Sequence, residues 1–168
     1  MSEVTMGPVI LSVVGKKKVG KTTLIEQLIP IFRRRGYRVG TVKHTAHQHE
    51  FDTEGKDSWR HRQAGAEATM LVSPFEMAFF RPADDDERER ILSFLFEGYD
   101  VVLVEGFKSL AGPKVEVFDP VVYPTPLCSN GDGLIALVSS RTFEFGVPVF
   151  PPGRTEDLAD FIEERLLG

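Results

Sequence analysis

The chain has a single cysteine, Cys128, so an intrachain disulfide is excluded and a reducing, cytoplasmic setting is the simpler expectation. It has no apolar run near the roughly 18 residues that a membrane span needs, and its first residues lack the apolar region of a signal peptide. It also lacks basic excess. The formal charge is −5, which argues against general binding to nucleic acid or to an anionic membrane, because both usually require a broad basic surface. Internal repeats and low-complexity segments are missing as well. What remains, at 168 residues and 42% apolar content, is one globular domain spanning residues 1–168 with enough apolar material for a core.

Against that acidic background, one short segment gathers positive charge. "VVGKKKVGKTTLIEQL", residues 13–28, places Lys16, Lys17, Lys18 and Lys21 between an apolar run and a helical pattern. Val9–Val14 is β-branched and apolar and reads as a buried strand. From Thr22 the apolar positions Leu24, Ile25, Leu28, Ile29 and Phe32 fall on one helical face, with Arg33, Arg34 and Arg35 before the stop at Gly36. Pro30 predicts a kink inside that helix. A second strand over Arg38–Lys43 completes a βαβ unit.

The rest alternates in the same way. Residues 44–56 show no period and read as loop, and Asp57 or Ser58 is expected to cap a short helix through Ala64. "EATMLV" and "EMAFF" read as two strands around Ser73-Pro74. A helix is predicted over Asp84–Phe96 with Ile91, Leu92 and Leu95 inward, then a central strand in "DVVLVEG". Residues 111–133, rich in proline and glycine, read as loop interrupted by a strand at Lys114–Phe118. "LIALVS" and "VPVF" are further strands, and Thr155 is expected to cap a closing helix that buries Leu158, Phe161 and Ile162. The predicted class is α/β: a mostly parallel sheet with helices on both faces and an additional β-hairpin region.

Gly15 to Thr22 fits G-x-x-x-x-G-K-[ST] after a strand and before a helix, the context in which backbone N–H groups converge on phosphate oxygens. Gly15, Lys16, Lys18, Gly20, Lys21, Thr22 and Thr23 are therefore candidate phosphate-binding residues. Lys21 is expected on the β- and γ-phosphates and the Thr22 hydroxyl on Mg²⁺. A second acid belongs at the end of a neighbouring strand, and Glu105, closing "VVLVEG", is the candidate for metal and catalysis. Lys16, five residues before Lys21, resembles the extra lysine that dimerising P-loop ATPases pass across a subunit interface. The stretch "KHTAHQHEFDTEGKDSWRHR" adds Lys43, Lys56, Asp57, Arg60 and Arg62 as anion or ligand contacts. It also holds His44, His47 and His49 with Asp52, which offer a metal-binding alternative, and Trp59, expected chiefly in packing.

Four blocks, "GKKKVGKTTLIEQLIP", "GYRVGTVKHTAHQHEFDTEGKDSWRHRQAGA", "YDVVLVEGFK" and "PKVEVF", occur in the order seen in a known family, which this sequence resembles: the molybdopterin-guanine dinucleotide biosynthesis protein B (MobB) group of P-loop GTP-binding proteins. The resemblance implies a cytoplasmic homodimer that binds GTP with Mg²⁺, hydrolyses it weakly, and assists the molybdopterin guanylyltransferase (MobA) that joins GMP to molybdopterin. It also implies a basic residue after "PKVEVF", where this chain has Asp119. No N-K-x-D guanine-reading motif is present; its place, after "LIALVS", holds Ser139, Ser140 and Arg141. Two other functions fit the residues: a small-molecule kinase with Asp52 or Asp57 as acceptor base, and a metallochaperone NTPase using the histidines.

Overall fold

The computed structural model describes residues 7–45, 50–82, 88–129, 131–142 and 144–168. In chain order the elements are β1 (Val9–Val14), α1 (Lys21–Arg34), β2 (Val39–Lys43), α2 (Asp57–Gln63), β3 (Thr69–Val72), β4 (Met77–Phe80), α3 (Arg88–Leu95), β5 (Val101–Glu105), β6 (Lys114–Val117), β7 (Leu134–Val138), β8 (Val149–Phe150) and α4 (Thr155–Ile162), followed by a π-helical turn, Glu163–Leu167. They form two compact units, one made by the chain up to Thr45 together with Leu92–Gly168, the other by Ala46–Ile91.

The larger unit is a six-stranded sheet in the order β2-β5-β1-β6-β7-β8, with every neighbouring pair parallel. Continuous β-branched runs suit such strands because both faces are covered. Along β1 and β5, side chains alternate between two apolar layers. Leu11, Val13, Val101 and Leu103 meet Leu28, Phe32, Leu158 and Ile162 of α1 and α4. Val102 and Val104 face the other way, toward Leu92, Phe107 and Leu110. Leu28 and Phe32 are fully buried, worth about 1.5–3 kcal/mol each by area. Gly36, at φ 93°, follows the first helix in the left-handed conformation, and Arg35 at the helix cap binds Glu163 at 2.5 Å and Asp160 at 2.6 Å.

Four local expectations need correction. Thr155 does not cap α4; Arg154 holds the cap position and the Thr155 hydroxyl donates to Gln27 Oε1 at 2.8 Å. Lys56, not Asp57 or Ser58, precedes α2, because the Ser58 hydroxyl is committed to Asp52 at 2.9 Å. Leu95 is 55% exposed rather than inward; Phe96, four residues after Leu92, takes the inward place and packs with it by Val102 and Val104. Phe161 is only partly buried, against Phe150 at 5.6 Å between ring centroids. Of the helix expected over Asp84–Phe96, residues 84–87 lie outside the described residues.

β6 has a larger part than the isolated strand expected at Lys114–Phe118. It sits in the middle of the sheet between β1 and β7 and is wholly buried, charges included. The Glu116 carboxylate accepts the backbone N–H groups of Leu127 and Cys128 at 2.5 and 2.8 Å. Lys114 Nζ donates to the Asp132 carbonyl at 2.8 Å. The buried Cys128 thiol is pushed up to about 11, first by burial and then by Glu116, so it stays protonated and unreactive.

The smaller unit holds α2 and an antiparallel hairpin, β3 with β4, in which Thr69 faces Phe80 and Val72 faces Met77. Ser73 makes the turn: its hydroxyl oxygen accepts the N–H groups of Phe75 and Glu76. The hairpin leaves Met70, Val72, Phe75 and Met77 mostly exposed. Asp52, nearly buried, anchors the unit through Ser58 and, at 3.5 Å, Arg62. No helix among the described residues is long and apolar enough to cross a membrane.

Candidate functional site

The strand β1 ends against the middle of the sheet, and the chain must turn at once to enter α1. Gly15, at φ 144°, makes that turn where a Cβ would lie 2.4 Å from the Val117 carbonyl oxygen, so no side chain fits. Gly20, at φ 99°, opens α1 in the left-handed conformation, and its carbonyl accepts the Leu24 N–H at 3.0 Å. Between them Lys18 also has positive φ, at 60°. The loop thereby closes into a concave backbone ring at the positive end of a 14-residue helix.

Lys21 projects back over this ring, its Nζ donating to the carbonyls of Gly15 at 3.0 Å and Lys16 at 2.7 Å. Burial lowers its pKa, opposed by Glu105 and reinforced by Lys43. Beside it, Thr22 Oγ1 donates to the Glu105 carboxylate at 3.0 and 3.1 Å. Strand register explains the meeting: Glu105 is the last residue of β5, paired with Val13 of β1 on one side and Lys43 of β2 on the other. Lys43 Nζ reaches Glu105 Oε1 at 2.7 Å. The carboxyl ends of three neighbouring strands therefore converge, which is where ligands bind in open parallel sheets. Hard oxygens on Thr22 and Glu105, about one hydrogen bond apart, form a donor pair of the kind Mg²⁺ takes.

Gly15, Gly20, Lys21, Thr22, Glu105 and Lys43 are thus brought together. Thr23 follows Thr22 on the exposed first turn of α1. Lys16 is turned away from the ring: its ammonium bonds the Thr125 carbonyl at 3.1 Å and lies 4.8 Å from the centre of the Tyr123 ring. The Tyr123 hydroxyl in turn donates to the Lys17 carbonyl at 3.1 Å. Tyr123 and Thr125 escaped the sequence reading, since they sit in a proline-rich stretch without period. Their signal was indirect: Glu116, an acid in the middle of an apolar strand, pins Leu127 and Cys128 and so holds that stretch near the loop. Asp119 caps a turn, accepting the Val121 N–H at 2.9 Å. Ser139 is buried, its hydroxyl accepting the Arg141 N–H at 3.4 Å.

Lys56, Asp57 and Arg60 belong to the other compact unit, where all are exposed and Arg60 lies 3.7 Å from Asp57. Trp59 is partly buried and donates to Glu50 at 2.7 Å. His44 stacks on Phe107 with centroids 4.3 Å apart. His47 and His49 lie outside the described residues, and among the described residues no group of three His, Cys, Asp or Glu could hold a metal ion.

Both the sequence and the fold have relatives among known proteins. The sequence model of a family described as molybdopterin guanine dinucleotide synthesis protein B matches residues 10–140. The molybdopterin-guanine dinucleotide biosynthesis adapter protein of Escherichia coli K12 is 35% identical over 98% of this chain and 96% of its own. Its Haemophilus influenzae counterpart is 32% identical over 94% and 89%. The crystal structure of Bacillus subtilis MobB superimposes with a TM-score of 0.73 at 28% identity, covering 93% of this chain and 96% of that one.

Proposed function

Because the chain belongs to the molybdopterin guanine dinucleotide synthesis protein B family, we propose that it is a GTP-binding adapter in the making of that dinucleotide cofactor, with slow GTPase activity. The observation that carries the reading is the meeting of Lys21, Thr22, Glu105 and Lys43 at the carboxyl ends of β1, β5 and β2.

Lys21 exchanges its two carbonyl partners for β- and γ-phosphate oxygens, and the N–H groups of the loop from Gly15 to Thr22 cradle the rest of the triphosphate. Thr22 and Glu105 hold Mg²⁺, which when bound neutralises charge on the phosphates. Glu105 also orients water near the γ-phosphate. Lys43, tethered to Glu105, adds positive charge beside it. With no arginine supplied to the phosphates by this chain's own loop, hydrolysis is slow, which suits an adapter that holds nucleotide for a partner guanylyltransferase. The chain works as one cytoplasmic nucleotide-binding domain, in which Ala46–Ile91 is an elaboration, and it dimerises through the exposed apolar hairpin of β3 and β4.

Calorimetric titration with GTP, ATP and molybdopterin tests this. Saturable, Mg²⁺-dependent binding of GTP is expected, and absence of any heat with either nucleotide would overturn it. The same convergence would serve the kinase and metallochaperone alternatives, which also need a triphosphate site; membership of the family is what favours the adapter.

A further inference from the structure

Besides the nucleotide loop, the larger unit contains a second concavity that the reading above leaves unused. The chain passes from β5 to β6 through residues 106–113, crossing β1 without a helix, and from β6 to β7 through a second crossover without a helix. Parallel strands usually have a helix in such connections. Its absence leaves a cleft of about 830 Å³ between the two crossovers, with His44, Gly106, Lys108, Gly112, Lys114 and Asp132 in its walls. That size suits a whole small molecule.

The walls have a specific chemistry. Lys114 is 5% exposed, and its ammonium hydrogen-bonds the carbonyl oxygens of Asp132 at 2.8 Å and Gly112 at 3.4 Å, while the Asp132 carboxylate, bonded to Ser129, acts on it only through space. A cation so deeply buried is ordinarily paired with an anion, since dipoles compensate desolvation poorly. Gly133 makes the seam: a Cβ there would lie 2.3 Å from the Gly112 carbonyl oxygen and 3.5 Å from Lys114 Nζ. Lys108, bonded to the Leu127 carbonyl at 3.0 Å, adds a second positive charge on the rim. Asp132 is the acid among these residues, its Oδ2 held by the N–H and hydroxyl of Ser129 at 2.9 and 3.0 Å. Glu116 does not line the cleft and is spent on backbone N–H groups. His44, stacked at 4.3 Å and 10° on Phe107, adds a flat π surface.

We propose that this cleft is a second ligand site, separate from the nucleotide loop, for a planar heterocycle carrying an acidic group. The acid pairs with Lys114 and Lys108, the ring lies by His44, and Asp132 accepts ring N–H donors. That the ring is a pterin rests on the proposed cofactor role; the anion site itself rests on Lys114.

The test is an amide spectrum of the ¹⁵N-labelled protein titrated with pterin-6-carboxylate and, separately, with neutral pterin. The acid should move the Gly112, Gly131 and Gly133 resonances saturably and bind at least about tenfold tighter than neutral pterin, the worth of one charge-assisted contact. Lys114→Met should abolish that response. Lys108→Met, at an exposed position where folding is not at stake, should weaken it about threefold or more. No saturable movement, equal affinity for the neutral ring, or an unchanged response in Lys108→Met overturns the proposal. GTP titrated into the same sample reads Gly15 and Gly20. Those two moving without the others sinks this site and spares the nucleotide reading, while the reverse sinks the nucleotide reading and leaves the anion site standing.

Discussion

Replacing Lys21 by alanine removes the one side chain that reaches over the nucleotide loop from within it. In the free protein its ammonium is held by two neutral carbonyls, at 3.0 and 2.7 Å. A bond to a charged phosphate is worth about 1.5–3 kcal/mol net, and the two carbonyl bonds given up offset part of it. The expected loss is at least about 1.4 kcal/mol, tenfold in Kd. The carbonyls of Gly15 and Lys16 belong to partly exposed residues and can turn to water, so the cost in stability stays below about 1 kcal/mol. Calorimetric titration of wild type and Lys21→Ala with GTP and Mg²⁺ reads the first quantity, and thermal melting the second. A pH arm sharpens the test. Burial holds the Lys21 pKa below its ordinary 10.5, so the charge is lost earlier on the alkaline side. Wild-type affinity should therefore fall with rising pH before an ordinary lysine would titrate, and the alanine variant should lack that fall. Unchanged affinity in a variant with an intact circular dichroism spectrum would refute the phosphate assignment.

Glu105→Gln should reduce GTP hydrolysis more than GTP binding, because it removes charge from the metal side and leaves the loop whole; equal losses in a paired kinetic and calorimetric measurement would count against the role. Glu116→Ala should cost about 3 kcal/mol in urea unfolding, since it strands two backbone N–H groups beside a side chain that is 1% exposed. For Glu163, bonds from Arg35 and then Tyr37 lower the folded pKa below its ordinary 4.5. Its stabilisation is thus present above the unfolded value and lost as pH falls through the lowered folded value, so the Tm gap between wild type and Glu163→Gln should shrink as pH is taken below 4.5. Sedimentation should give a dimer at micromolar concentration with or without GTP, and Val72→Glu with Met77→Glu should convert it to monomer; a wild-type monomer without nucleotide would sink the hairpin assignment.

The parts of the fold legible in the sequence were those whose burial follows a period. The strands at Val9–Val14 and Val101–Glu105 and the helix after Gly20 declare themselves by runs of one kind of residue. The site was legible to the same degree, because Gly15, Lys21 and Thr22 are tied by fixed spacing and Glu105 by its place at a strand end. What stayed hidden was tertiary. Lys114 and Glu116 alternate with valines, the pattern of a half-exposed edge, yet the strand is central because the loop that follows it gives both side chains backbone hydrogen-bond partners, Leu127 and Cys128 for Glu116 and Asp132 for Lys114. Caps failed for a related reason: Ser58 and Thr155 have capping chemistry but found better partners in Asp52 and Gln27, which no local pattern reveals.

Lys16 shows how one placement bears on two models of assembly. A lysine five positions before Lys21 could cross to a partner subunit, tying association to nucleotide. In this chain it is already engaged at home, bonded to Thr125 and lying over Tyr123. To cross an interface it must give up a hydrogen bond and a cation–π contact, together worth on the order of 1–2 kcal/mol. The same residues also fix the loop, since Tyr123 bonds the Lys17 carbonyl and Glu116 anchors the stretch that carries it. Releasing Lys16 would therefore loosen the backbone that is to hold phosphate, and the nucleotide would have to reward both changes. The hairpin needs no such exchange: Val72, Phe75 and Met77 are 72–96% exposed before any ligand arrives, and covering them is favourable by itself. In the proposed dimer, association through β3 and β4 is therefore expected to precede nucleotide, and Lys16 to serve the shape of the loop rather than the joining of subunits.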